Sequence, residues 1–176
     1  MTQIKTQQNG WKKFFIILFR ILFTAAVFAS VAFIFYNSSQ VADISSDVSG
    51  KATHIINDVI SHTPWDVHIP EKIVRKLAHI AEFAVLGFFL TLCLRVYTRR
   101  LVAFSAWPML LGLFVAVCDE FYQRFVPGRT GQIKDIFIDF IGVCGGTAAG
   151  IFLVASVQIF IWIVRRTRSR KTAKAA

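Results

Sequence analysis

The sequence predicts an all-α membrane protein: four transmembrane helices, an amphipathic helical loop on the extracytoplasmic side, and both termini in the cytoplasm. Three observations carry that expectation. Four apolar runs, near 14–36, 77–97, 101–121 and 136–162, are each long enough to cross a hydrocarbon core of about 30 Å, which takes roughly 20 helical residues. The charges at the two ends of those runs differ in sign. The long segment between the first two runs repeats its apolar residues at helical spacing.

Lys12 and Lys13 precede the first run, as they would precede a signal peptide. The run exceeds the roughly 7–15 residues of a signal core, so a retained helix is expected. Arg20 lies near its start and reaches the interface by snorkelling. The chain thus divides into a cytoplasmic tail (1–13), a membrane domain (14–162) and a basic cytoplasmic tail (163–176). The loop VADISSDVSGKATHIINDVI carries Val41, Ile44, Val48, Ala52, Ile55 and Val59 three or four apart, which defines one apolar face of a helix lying on the outer leaflet or across the mouth of the bundle. Gly50 argues against a single unbroken helix there. The last segment, RRTRSRKTAKAA, reads as a disordered tail attracted to anionic headgroups.

Orientation follows from the charge map. The N-terminal tail, the link 95–100 and the segment after Val164 hold twelve basic residues and no acidic one. All ten acidic residues lie in 37–76, in 119–135, or just inside the bordering spans. The basic side is therefore expected to be cytoplasmic. Trp11, Tyr97 and Trp162 would mark the inner interface, and Tyr36, Trp65 and Tyr122 the outer one. A net charge of +10 would suggest nucleic acid in a soluble protein, but orientation in a membrane accounts for it here, and no nucleic-acid partner is expected. Cys93, Cys118 and Cys144 lie in apolar segments without close spacing and read as small buried hydrophobes.

Against this apolar background, residues 119–135, DEFYQRFVPGRTGQIKD, concentrate Asp119, Glu120, Gln123, Arg129 and Asp135 between two spans. Asp119 and Glu120 end a span, where solvent alone would account for them. Other polar groups sink deeper. His79 and Glu82 share a helix face three residues apart, with Arg75 and Lys76 one turn above. With entry near Leu77, Glu82 lies roughly 7–8 Å deep at 1.5 Å per residue. Asp139 reaches a similar depth on the face that continues through Gly142, Gly146 and Gly150, small residues that admit a close helix. A carboxylate facing hydrocarbon costs several kcal/mol, so Asp139 should turn inward to a partner. Ionisable groups from three helices then converge at one level.

Each residue also has a plain structural reading. Arg75 and Lys76 would anchor headgroups, Asp135 would complement a helix dipole, and His79 with Glu82 would form a structural hydrogen bond. Pro127 and Gly128 mark a turn that returns Arg129 over the helix ends. There its planar fork suits a phosphate or an internal carboxylate equally well.

These residues stand in three blocks that resemble the VanZ-like family of bacterial membrane proteins. FYNSSQVADISSDVSG is similar to that family's serine-rich stretch. RKLAHIAEFAVLGFFL resembles its Lys-x-x-His-x-x-Glu pattern, and DEFYQRFVPGRTGQIKDIFIDFIGVCGG resembles Asp-Glu-x-x-Gln…Pro-Gly-Arg…Asp…Gly. The resemblance implies a multi-pass protein of the bacterial cell membrane, in a family whose founding member is associated with resistance to the glycopeptide teicoplanin. It maps the family's polar positions onto His79, Glu82, Asp119, Glu120, Gln123, Arg129, Asp135 and Asp139. Many members carry Asn where this chain has Asp139.

Two uses of such a site follow. One is an outer-leaflet pocket for an anionic or lipid-linked headgroup, with Arg129 and Lys76 on phosphate and Gln123 and the carboxylates Asp119, Glu120, Asp135 and Asp139 on hydroxyls or counter-ions. His79 oriented by Glu82 would add a general base. No Gly-x-Ser-x-Gly, His-Glu-x-x-His or phosphate-loop motif is present, so catalysis is open but not implied. The other is a divalent-cation or proton site in a small transporter, for which His79 and the carboxylates supply ligands. A structural envelope scaffold is the third reading. The expected partners are the bilayer, an anionic lipid or lipid-linked envelope precursor, and a second copy of the chain.

Overall fold

The computed structural model describes residues 2–40, 42–62, 68–129 and 131–175, with side chains described at 10, 11, 13–40, 47, 49–62, 68–129 and 131–167. Five α-helices account for most of it: α1 (Thr2–Ser39), α2 (Ala42–Ser61), α3 (Glu71–Tyr97), α4 (Ala106–Gln123) and α5 (Ile133–Ala175). A 3-10 turn at Val102–Phe104 leads into α4. Among the described residues there is no strand. Four stretches are long and apolar enough to cross a membrane: Lys13–Ser39, Glu71–Tyr97, Val102–Gln123 and Ile133–Thr167. They match the spans read from the sequence: the third begins one residue later, at Val102, and the other three contain the ranges read and extend beyond them.

Local chemistry sets the boundaries. Pro70 is extended before α3, and Glu71 places a carboxylate in its first turn, where the helix dipole favours it. Pro108 falls in the first turn of α4, where its missing N–H leaves no intrahelical bond unmade. Two expectations are corrected. Gly50 does not interrupt α2, which runs unbroken past it. The basic tail is not irregular backbone: α5 continues to Ala175. Beyond Gly150 it contains neither Gly nor Pro, and its Lys, Arg and Ala are good helix formers whose cations suit a helix C-terminus. Trp11, Tyr97, Trp162, Tyr36 and Tyr122 are exposed, as interfacial aromatics would be, whereas Trp65 lies outside the described residues. The three cysteines are only half-buried.

Helix α3 is central and touches each of the other four; its contact with α5 is the most extensive. Small residues make that contact close. A Cβ added at Gly142 or Gly146 would fall on the carbonyl oxygen of Ile80 or Ala84, and one at Gly150 would meet Thr91. In return, Val143 of α5 packs where Gly87 of α3 and Gly112 of α4 leave room for it. The expected small face therefore does its packing against α3. In lipid, where burial of apolar surface provides no drive between helices, such close van der Waals contact is a main source of association. Ile34, Phe83, Leu86, Leu90, Ala116 and Val143 form the apolar core.

The remaining contacts lie at the two ends. Arg20 does not merely snorkel: its Nε donates to the Val96 carbonyl at 3.3 Å, and its guanidinium lies 4.9 Å from the Tyr97 ring, tying α1 to the end of α3. Helix α2 turns Thr53 and Asn57 inward and leaves Ile55 and Val59 exposed. Asn57 exchanges two hydrogen bonds with the Ile69 backbone, at 3.1 and 2.9 Å, and so fastens α2 to the entry of α3. Ala52 is half-buried; Val41, Ile44 and Val48 fall outside the described side chains.

The seam makes a direct prediction. Gly146→Val should reduce folded protein sharply, since overpacking costs about 1–3 kcal/mol or more and here the obstacle is backbone. Gly145→Ala, which meets nothing within 4 Å, should be near neutral. Detergent-solubilised yield and thermal unfolding midpoints of the two variants check this.

Candidate functional site

The polar residues gather where α1 ends, α3 begins, and α4 turns into α5. Asp119 and Glu120 are the first surprise. At the end of a span they are not solvated but 0% and 5% exposed, and Gln123 is buried beside them. Their faces of α4 point into the bundle, which leaves Phe121 and Tyr122 outside. Asp139, on the Gly142–Gly146 face of α5, is 2% exposed, as a carboxylate avoiding hydrocarbon should be. His79 of α3 is half-buried next to it.

The hydrogen bonds show which elements hold the cluster. Ser38 donates to Asp119 Oδ2 at 2.8 Å, and Gln123 Nε2 donates to the same oxygen at 2.9 Å. Gln123 also donates to Ser38 Oγ at 3.1 Å, which closes a three-membered network between α1 and α4. Glu120 Oε2 accepts from the Gln132 backbone N–H at 2.8 Å and folds the loop back onto α4. That return needs Gly131, where a Cβ would fall on the Glu120 carbonyl oxygen, and Gly128, whose φ of 77° places it in the left-handed region.

Arg129 arrives over the end of α1. Its Nε donates to the Gln40 carbonyl and its Nη2 to the Asn37 carbonyl, each at 3.1 Å. Cations belong at a helix C-terminus, where the last carbonyls lack partners. No ion pair of Arg129 occurs among the described residues, so in place of the internal salt bridge the fork caps a helix. Burial lowers the Arg129 pKa from its usual value and Arg75 adds to the fall, while Asp119, Glu120 and Glu82 oppose it; the group remains cationic. Lys76 and Arg75 are not free anchors either. Lys76 pairs with Asp135 across α3 and α5, and Arg75 pairs with Glu71 one turn back at 2.6 Å. Asp135 thus both faces the α5 dipole and ties α5 to α3.

Glu82 departs from expectation. Its Oε1 accepts from Asn37 Nδ2 at 2.8 Å, and no hydrogen bond joins it to His79 among the described residues. It lines a separate, apolar groove between α1 and α3 with Ala26, Phe33 and Val85. The three-residue spacing sets both side chains on one broad face, but the amide of α1 draws Glu82 to its own side. A general base oriented by Glu82 is therefore not assembled. Asn37, Ser38 and Gln40 had no part in the reading of individual residues. Their signal was the polar run NSSQ directly after an apolar span, where a helix end would otherwise enter water.

Above the cluster lies a cavity of about 450 Å³ whose lining includes Lys72, Lys76, His79, Gln123, Arg129 and Asp139. Glu120 and Asp135 also line it. All the predicted site residues except Glu82 and Asp119 therefore border one cavity, and Asp119 lies directly beneath it through Gln123 and His79. Cations and carboxylates both line the cavity, which suits a ligand carrying both anionic and hydroxyl groups.

Four lipid-length helices enclosing a polar cluster near one end define a multi-pass helical membrane protein with an internal polar site. The model of the VanZ/LLP1 family matches residues 21–157, and the chain belongs to that family. The matched region spans the cavity, the Gly seam and the caps on α1. No match was found among curated proteins or among solved structures.

The Ser38–Gln123–Asp119 network predicts a clear asymmetry between adjacent serines. Ser38→Ala should destabilise the fold by about 1–3 kcal/mol, because it strips a donor from a buried carboxylate. Ser39→Ala removes only a bond to its own helix at Tyr36 and should stay within about 0.5 kcal/mol. Thermal unfolding in detergent measures both.

Proposed function

We propose that this VanZ-like protein resides in the bacterial cell membrane and holds the phosphate-bearing headgroup of an anionic or lipid-linked envelope component from the outer leaflet. The observation that carries the reading is the position of the cavity. Its rim carries Lys72, Arg75, Lys76 and Arg129, and exposed apolar side chains stand on the same helical turns: Ile73 and Leu77 on α3, Ile133 and Phe137 on α5. An amphiphile can place its head among the cations and its tail along that apolar flank without leaving the bilayer. A small soluble anion would use the first feature only. Lys72 is exposed and has no ion pair among the described residues, so it is the cation most available to a phosphate.

The charge map supports the orientation, with the cavity on the extracytoplasmic side and both termini inside. Helix α2, with Ile55 and Val59 outward, then lies along the outer leaflet beside the cavity mouth. By occupying envelope lipid or its precursor, such a protein alters what a glycopeptide meets at the surface, and a contribution to teicoplanin resistance is the cellular role this supports. A purely structural scaffold would need the same buried network but no available cation.

Native mass spectrometry of the chain in nanodiscs of phosphatidylcholine doped with phosphatidylglycerol or a polyprenyl phosphate tests the headgroup reading. Wild type should retain the anionic lipid, and Lys72→Ala with Arg75→Ala should retain it at least tenfold less. Equal retention of phosphatidylcholine, unchanged in the variants, would sink it. In a susceptible host, wild type should raise the teicoplanin concentration needed to stop growth, and the double variant at matched abundance should not. Reporter fusions test the orientation: one inserted within 63–67 should report outside, and one after residue 176 inside.

A further inference from the structure

Beneath that cavity lies an arrangement that headgroup binding does not account for. His79, Asp119 and Asp139 come from three different helices, and one potential ligand atom on each lies within 4.8 Å of those on the other two. On each residue a buried atom lacks any hydrogen-bond partner: His79 Nδ1, Asp119 Oδ1 and Asp139 Oδ2. Two carboxylates, 0% and 2% exposed, thus each keep an unpaired buried oxygen in a cluster that also holds an unpaired imidazole nitrogen. Buried acceptors left without donors are rare and demand an explanation. Mutual repulsion alone would drive such groups apart.

We infer that His79, Asp119 and Asp139 hold a divalent transition-metal ion at the floor of the cavity. The charge balance favours it, since two buried carboxylates and a neutral imidazole become electrically neutral around one dication. The donor set of one nitrogen and two oxygens suits Zn²⁺ or Mn²⁺ rather than a soft-metal site. Each donor needs to move inward by less than about 1 Å to reach bonds of roughly 2.0–2.2 Å. Asp119 is prepared for the role. Ser38 and Gln123 hold its Oδ2 and leave the buried Oδ1 without a donor, the outer-shell arrangement that fixes a carboxylate ligand. Three protein ligands leave a coordination position open, and because His79 and Asp139 also line the cavity, that position faces it. A phosphate or water there completes the shell. The ion rests on the buried donors and not on the rim cations, so it stands or falls separately from the headgroup reading.

The test uses full-length protein with a tag that binds no metal, purified without chelator, measured by elemental analysis and by thermal unfolding. About one divalent transition-metal ion per chain is expected. Chelation should lower the unfolding midpoint, and addition of Zn²⁺ or Mn²⁺ alone should restore it. Asp139→Asn and His79→Gln should bind the added ion at least tenfold more weakly, whereas Lys72→Ala should bind it as wild type does. Ser38→Ala, which alters no ligand, should weaken binding by about 10–100-fold. If a ligand variant fails to fold, the wild-type measurements decide alone. Wild type without stoichiometric metal and without a shift on reloading, or folded Asp139→Asn with unchanged affinity, overturns the assignment; in the first case a proton shared between the carboxylates is what the cluster holds.

Discussion

A carboxylate cannot face acyl chains, and this constraint organises the protein. Asp119 and Asp139 sit on helices whose other faces carry Phe114, Phe121, Phe137 and Ile141 toward lipid. Only one rotation of each helix hides the acid and exposes the apolar side chains. Once both acids are turned inward, α4 and α5 have a defined rotation, and His79 of α3 meets them at the same level. The polar cluster is therefore a register device as well as a candidate site.

That arrangement requires helices closer than ordinary side chains permit. The Gly142–Gly146–Gly150 face brings α5 onto the backbone of α3, and Gly87 and Gly112 leave space for Val143. The apolar core below the cluster holds this seam while Lys76–Asp135 closes it above. The pair is partly exposed on both sides, so it contributes orientation more than energy. Stability and site are thus spatially separate: dispersion deep in the bundle, directed polar contacts at one end.

The loop between α4 and α5 then serves two neighbours at once. Through Glu120 and Gln132 it binds back to α4, and through Arg129 it caps α1. A helix end that would otherwise leave carbonyls unsatisfied beside the membrane is capped by a residue of the cavity wall. The same guanidinium that the sequence suggests for a ligand is committed to backbone carbonyls.

The spans, the inward turn of Asp139 and the small face of α5 were legible because each follows from one helix's periodicity and from the insolubility of charge in hydrocarbon. The helical loop was legible for the same reason, but not that Ile55 and Val59 turn away from the bundle. Partner choice was not. That Glu82 would answer to Asn37 and not to His79, that Ser38 would orient Asp119, and that Arg129 would cap α1 depend on residues 45 to 92 positions apart. Periodicity assigns a side chain to a face, but a face about 100° wide meets more than one neighbour, and only the packed helices decide which of them lies within hydrogen-bonding distance.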